Sequence, residues 1–162
     1  MSALSSNFIA AAGRFCEFVE RANQLPLEES MRTAQRLLLE LYAAGLELPE
    51  IVVPDGPDLD SSLRATVTFD HLDYYWEIFD PYGEDEPVTG DLADDIGDIY
   101  SDLQRGFAYW NAARPEEAIW QWRFGFHNHW GDHAADALRA LHWAQKQPLT
   151  PAVTPLRTRK RD

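Results

Sequence analysis

The sequence predicts an all-α, single-domain bundle of about five helices with a long, largely buried C-terminal helix. Three observations carry that expectation. Apolar residues recur at spacings of three and four through most of the chain, the period of a helix with one buried face. The 162 residues are 45% hydrophobic and 12% aromatic, a payload large enough to fill one core. Proline-bearing stretches separate the periodic segments, as connections do.

The first helix is expected over about residues 7–22, where Phe8, Ala12, Phe15, Val19 and Ala22 form a stripe and Ser5 or Ser6 can cap the start. Cys16 lies beside that stripe and reads as a small buried hydrophobe. The second helix follows Pro26. Glu28 and Glu29 sit at its positive end, Met31, Ala34, Leu38, Leu41 and Tyr42 make its stripe, and Gly45 can end it. Residues 47–62, with Pro49, Pro54, Gly56 and Pro57, read as a loop, and residues 59–68 as either a short helix or an extended piece. A third helix is expected over Phe69–Phe79, capped by Thr68 and stopped by Asp80-Pro81. An acidic loop, residues 82–89, leads to a fourth helix over about residues 91–110, with Leu92, Ile96, Ile99, Leu103, Phe107 and Trp110 inward. Pro115, Glu116 and Glu117 open a fifth helix expected to run to about Gln145. It carries two adjacent apolar stripes, one on Trp120 and Phe124, the other on Ile119, Trp122, Phe126 and Trp130. Gly125 and Gly131 lower its helix propensity, which a close helix neighbour at each would compensate. The helical domain is thus expected over residues 1–146, followed by a disordered, Pro/Thr-rich basic tail over 147–162.

Charge narrows the function. Residues 47–102 hold 17 Asp/Glu and one basic residue, Arg64, for −16, whereas the first 46 residues carry −1 and the last 60 carry +4. Such a local field attracts cations or basic partners and repels nucleic acid. The basic cluster Arg157, Arg159, Lys160 and Arg161 is confined to the tail, so the folded body is not expected to bind nucleic acid. No apolar run approaches the roughly 20 residues of a membrane span, the N-terminus lacks a signal-peptide pattern, and a single cysteine fits a reducing compartment. A cytoplasmic location is expected.

Three constellations are candidate sites. Asp94, Asp95, Asp98 and Asp102 fall on one helix at spacings that bring them onto neighbouring turns. Like charges there cost roughly 0.2–0.5 kcal/mol per pair, a cost that a divalent metal would offset. Asp94-Asp95-Ile96-Gly97-Asp98 resembles the D-D-x-x-D motif of isoprenyl diphosphate synthases, yet the second aspartate-rich helix of those enzymes is missing. His129 and His133 stand one turn apart, a metal-holding spacing, but Trp130 occupies the place of the general base in H-E-x-x-H. If the fourth and fifth helices pack antiparallel, these histidines approach Asp95 or Asp98 and form a mixed carboxylate–imidazole site. The third constellation, Tyr74, Tyr75, Trp76, Asp80 and Tyr82, is too aromatic for one helix to bury entirely, and suits a partner-binding surface.

Phe15-Cys16-x-Phe18, Tyr75-Trp76-x-x-Phe79-Asp80-Pro81-Tyr82, Asp94-Asp95-Ile96-x-Asp98-Ile99-Tyr100-x-Asp102-Leu103 and Phe126-x-x-His129-Trp130-Gly131-x-His133-Ala134 together resemble an uncharacterised bacterial family of small helical cytoplasmic proteins known as a domain of unknown function. The resemblance spans about residues 7–145. It implies an all-helical fold and brings no activity or site residues with it. The leading functional expectation is a non-enzymatic acidic binding or regulatory protein that meets a basic protein partner, without a cofactor. The alternative is a small hydrolase of a phosphorylated metabolite, with a divalent metal on the aspartates and His129 or His133 as ligand or acid–base group.

Overall fold

The helical periodicity is realised in a mostly α-helical domain whose computed structural model describes residues 3–53 and 63–148. Among the described residues the order is α1 (Ala3–Val19), α2 (Leu27–Leu46), β1 (Tyr74–Glu77), β2 (Val88–Asp91), α3 (Leu92–Asn111), α4 (Pro115–Asn128) and α5 (Trp130–Ala144), with single 3-10 turns at Ala22–Gln24 and Asp70–Leu72. Helix α1 packs on α2 and α3, α3 packs on α4 and α5, and α5 also packs on α2. Residues 54–62, and the expected tail from residue 149 onward, lie outside the described residues.

The core is aromatic. The ring of Trp122 lies 5.2 Å from Phe8 and 5.2 Å from Phe107, with an interplanar tilt in both pairs. Trp130 lies 4.8 Å from Phe126. Both indoles are fully buried, and both satisfy their N–H on a carbonyl: Trp122 Nε1 donates to Leu103 O at 3.0 Å, Trp130 Nε1 to Trp122 O at 2.9 Å. Glycines make room for them. A Cβ on Gly106 would lie 2.0 Å from Trp122 Nε1, and one on Gly45 would lie 2.8 Å from the Trp130 ring. Gly45 therefore admits an indole rather than ending α2, which runs one residue further.

Two expected elements differ. The helix expected over Phe69–Phe79 is a single 3-10 turn followed by strand β1, paired antiparallel with β2 in the register Tyr74↔Asp91 to Glu77↔Val88. Tyr74, Tyr75 and Trp76 favour strand, and alternation disposes of their bulk: Tyr74 and Trp76 face out, Tyr75 and Glu77 face in. Thr68 caps no helix: Phe69 holds the N-cap position of the 3-10 turn, and Thr68 Oγ1 accepts from Asp70 N at 3.2 Å in the chain leading into it. The long C-terminal helix is two helices. Backbone at His129 leaves the helical region, between α4 and α5. Gly125, Asn128 and Gly131 are poor helix formers within seven residues. Asn128 Nδ2 also donates to Phe124 O, and a Cβ on Gly131 would lie 2.0 Å from Phe126 O, so the corner admits glycine alone. The break also decides between the two apolar stripes. Ile119, Trp122 and Phe126 are buried, whereas Trp120 and Phe124 remain partly exposed and stack on each other at 5.0 Å.

The glycine pattern yields a paired prediction. Gly106→Ala should cost about 1–3 kcal/mol, because the atoms it meets belong to a buried indole that cannot yield. Gly13→Ala, in α1 with nothing within 4 Å, should stabilise by about 0.5–1 kcal/mol through helix propensity alone. Urea unfolding of both variants checks the opposite signs.

Candidate functional site

The hairpin, α3 and α5 meet around a chain of acids and histidines. Asp91 ends β2 and caps α3, its Oδ1 accepting from Ala93 N at 2.9 Å, so the strand delivers the chain directly into the helix. The register of α3 then turns Asp95 inward, to 5% exposure, and leaves Asp94 exposed. On the facing side the corner at His129 sets two imidazoles against α3. His129 Nδ1 lies 2.8 Å from Asp102 Oδ2, and His133 Nδ1 lies 2.8 Å from Asp95 Oδ1. The neutral form of each ring that fits this geometry carries its proton on Nδ1 and leaves Nε2 with a lone pair. His133 Nε2 lies 3.6 Å from Asp98 Oδ2, and the two rings are 4.8 Å apart. The hydrogen bond to Asp95, with the charges of Asp95, Asp98 and Asp94, raises the pKa of His133 against the opposing effect of burial.

The hairpin completes this chain. Tyr75 Oη lies 2.6 Å from Asp95 Oδ2 and 2.9 Å from Glu77 Oε2. One phenolic proton thus serves two buried carboxylates, and donates to one of them at a time. Burial, then its carboxylate partners, push the Tyr75 hydroxyl far above its ordinary pKa. Gly90 sits opposite Tyr75 and allows this path, because a Cβ there would lie 2.6 Å from the phenol ring. Arg139 of α5 clasps the hairpin from outside, donating to Trp76 O at 2.9 Å and lying 5.8 Å from the Tyr75 ring.

Beside this network runs a cleft of about 710 Å³ between the hairpin and α5. Trp76, Phe79 and Pro81 form one wall, Asp132, Asp136 and Arg139 the other. Trp76 is 68% exposed and Phe79 75%. Burial, and then the charge of Glu77, raise the pKa of Asp136, with Arg139 opposing.

The structure therefore brings together Asp95, Asp98, Asp102, His129 and His133 from the expected candidates and leaves Asp94 outside, on the wall of a smaller cleft with Arg64 and Asp98. Of the aromatic set, Tyr74, Trp76 and Tyr82 are exposed, while Tyr75 turns inward. Asp80 accepts from Tyr82 N at 2.9 Å and shapes the hairpin loop. Glu77, Gly90, Asp132 and Asp136 were not singled out from sequence. Reading Tyr-Tyr-Trp-Glu at period two was the available signal for Glu77. Cys16 is buried and its thiol is pushed up to about 12, chiefly by burial, consistent with a packing role.

A family model described as "Domain of unknown function (DUF5063)" matches residues 1–147. The chain belongs to this family. The DUF5063 fold has a solved counterpart in the crystal structure of protein BF1032 from Bacteroides fragilis, which superposes with a TM-score of 0.70 at 19% identity over 91% of this chain and 95% of that one. At that identity the likeness speaks for the fold alone. No curated protein matches significantly. Among the described residues no helix is long and apolar enough to cross a membrane.

Two predictions follow from the geometry. Tyr75→Phe strips a hydrogen-bond donor from two buried carboxylates and should destabilise the DUF5063 domain by about 1–3 kcal/mol in urea unfolding. Asp136 tests the sign of a raised carboxylate pKa. The folded state then holds the proton to higher pH than the unfolded chain, so the Asp136 contribution to stability is greatest at low pH and falls as pH rises through the folded pKa. Asp136→Asn should flatten that fall, gaining on the parent at neutral pH and losing the gain below pH of about 4.

Proposed function

We propose that this DUF5063 protein is a non-enzymatic binding protein whose hairpin–α5 cleft receives a basic segment of a protein partner. The observation that carries the reading is the pairing of exposed aromatics with carboxylates in one concave surface. Trp76 and Phe79 stand open to solvent across from Asp132 and Asp136. Rigid aromatic anchors of this kind supply affinity once a partner covers them, and an acidic rim selects a cationic segment and speeds its approach. Arg139 in the wall donates to Trp76 O and lies 3.7 Å from Asp136, so it offsets that one carboxylate, and Asp132 and Glu77 leave the lining net acidic. The loop that follows adds Glu84, Asp85 and Glu86, all exposed. The matching ligand is a peptide in which Lys or Arg alternates with apolar or aromatic side chains.

A hydrolase of a phosphorylated metabolite asks for several basic side chains around the bound phosphate, besides any metal. The smaller cleft beside Asp98 contributes Arg64 to that purpose, and the larger cleft is acidic. The binding reading is preferred on that ground.

The test uses a synthetic Lys/Trp-rich peptide and a Glu/Trp-rich peptide of equal length, followed by calorimetry with the full chain. The basic peptide should bind, weaken as salt rises, and lose about 5- to 30-fold in affinity in Trp76→Ala, a hot-spot cost of about 1–2 kcal/mol. Asp132→Lys should weaken the basic peptide and admit the acidic one. Equal binding of both peptides, or affinity indifferent to Trp76→Ala, would contradict the proposal.

A further inference from the structure

We propose that Asp98, His129 and His133 form a binding site for one divalent first-row transition-metal ion, with Asp95 and Asp102 as the carboxylates that orient its two imidazoles. The inference is independent of the peptide cleft, which uses none of these five side chains.

Three features of the geometry carry it. One nitrogen of each ring and one oxygen of Asp98 lie within 4.8 Å of one another. Metal–nitrogen and metal–oxygen bonds of about 2.0–2.2 Å place neighbouring ligand atoms roughly 3–3.6 Å apart, so closure needs a movement of about 1 Å. His129, with its side chain 49% exposed, has the freedom to supply it, and His133 Nε2 and Asp98 Oδ2 already stand at 3.6 Å. The second feature is the occupation of Nδ1 on both rings by a carboxylate at 2.8 Å. Metal-ligating histidines make the same bond: the outer carboxylate fixes the ring, selects the tautomer with a bare Nε2 and raises its basicity. A histidine that merely neutralised α3 would need one such contact; here two rings repeat it at adjacent turns. Third, Asp95 is itself held. It is 5% exposed and accepts from Tyr75, which also reaches Glu77. The orienting carboxylate is thus fixed from the hairpin side before any ion arrives.

The donor set names the ion class. Two imidazoles and one carboxylate suit Zn(II), Fe(II), Co(II) or Mn(II), and leave open positions for water. Mg(II) and Ca(II) favour all-oxygen sets. Asp95, Asp98 and Asp102 on one helix face would attract any divalent cation weakly, so the discrimination between ions is the decisive property.

The test is titration of the tag-free full chain, stripped with chelator, with Zn(II) by calorimetry and with Co(II) by visible absorption. The site predicts one equivalent of Zn(II), a Co(II) d–d band displaced by Zn(II), and no comparable binding of Mg(II) or Ca(II). Asp95→Asn and Asp102→Asn should each weaken Zn(II) about 10- to 100-fold. His129→Ala should weaken it more than either, and Asp94→Asn, which removes a nearby charge but no ligand or orienting carboxylate, should weaken it less than about threefold. His129 is exposed, so its variant tests the site without disturbing the core; circular dichroism checks that it remains folded. Binding of Ca(II) as tight as Zn(II), equal loss in Asp94→Asn, or Zn(II) affinity untouched by His129→Ala would each overturn the proposal.

Discussion

The indole of Trp130 lies inside the bundle, against Phe126 and above the bare Cα of Gly45, with its N–H on the carbonyl of Trp122. A straight continuation of α4 would not deliver it there. The chain instead leaves helical geometry at His129 and restarts, and the corner is permitted by Gly131, whose missing Cβ lets the turn close on Phe126 O. Burial of a side chain this large stabilises by several kcal/mol, enough to override the hydrogen bonds and propensity lost at a helix break. The same turn that sends Trp130 inward sends His129 outward to Asp102 and sets His133 on Asp95. Core packing and site geometry thus share one backbone feature.

The electrostatics divide along the fold. Arg14–Glu40, Arg36–Glu40 and Arg32–Glu28 sit on α1 and α2, where exposed pairs contribute little. The acids of α3 are met by histidines, and buried Asp95 and Glu77 are met by a tyrosine hydroxyl. Neutral or titratable donors keep the negative field of this face largely intact while satisfying its buried oxygens. The result is a surface that retains attraction for cations, on the side where the hairpin presents Trp76 and Phe79.

Much of the bundle was legible because helices announce themselves through one-sided periodicity: α2 and α3 stand within a residue or two of where their stripes place them. The juxtaposition of Asp95 and Asp98 with His133 was also legible, from two clusters on consecutive helices and the assumption of antiparallel packing. What escaped was non-local. Tyr74-Tyr75-Trp76 favours a strand, but a hairpin needs the partner segment Val88–Asp91, fourteen residues on, and a run of four residues has no periodicity strong enough to reveal it. The corner at His129 was hidden because Trp130 reads as the next member of an apolar stripe. Its cause, a cavity formed by Gly45 on a helix some eighty residues earlier, belongs to tertiary structure. The weak formers Gly125, Asn128 and Gly131 were the local trace of it.

The central claim is that the corner presents two imidazoles whose Nδ1 atoms are held by α3 and whose Nε2 atoms are bare. The most direct measurement is the nitrogen-15 chemical shift of both ring nitrogens of His129 and His133 in the metal-free protein, recorded with both rings neutral. Unrestrained imidazole favours the proton on Nε2, so the environment must reverse that preference. Both residues should show a protonated Nδ1 and an unprotonated Nε2. A proton on Nε2 in either ring would contradict the account.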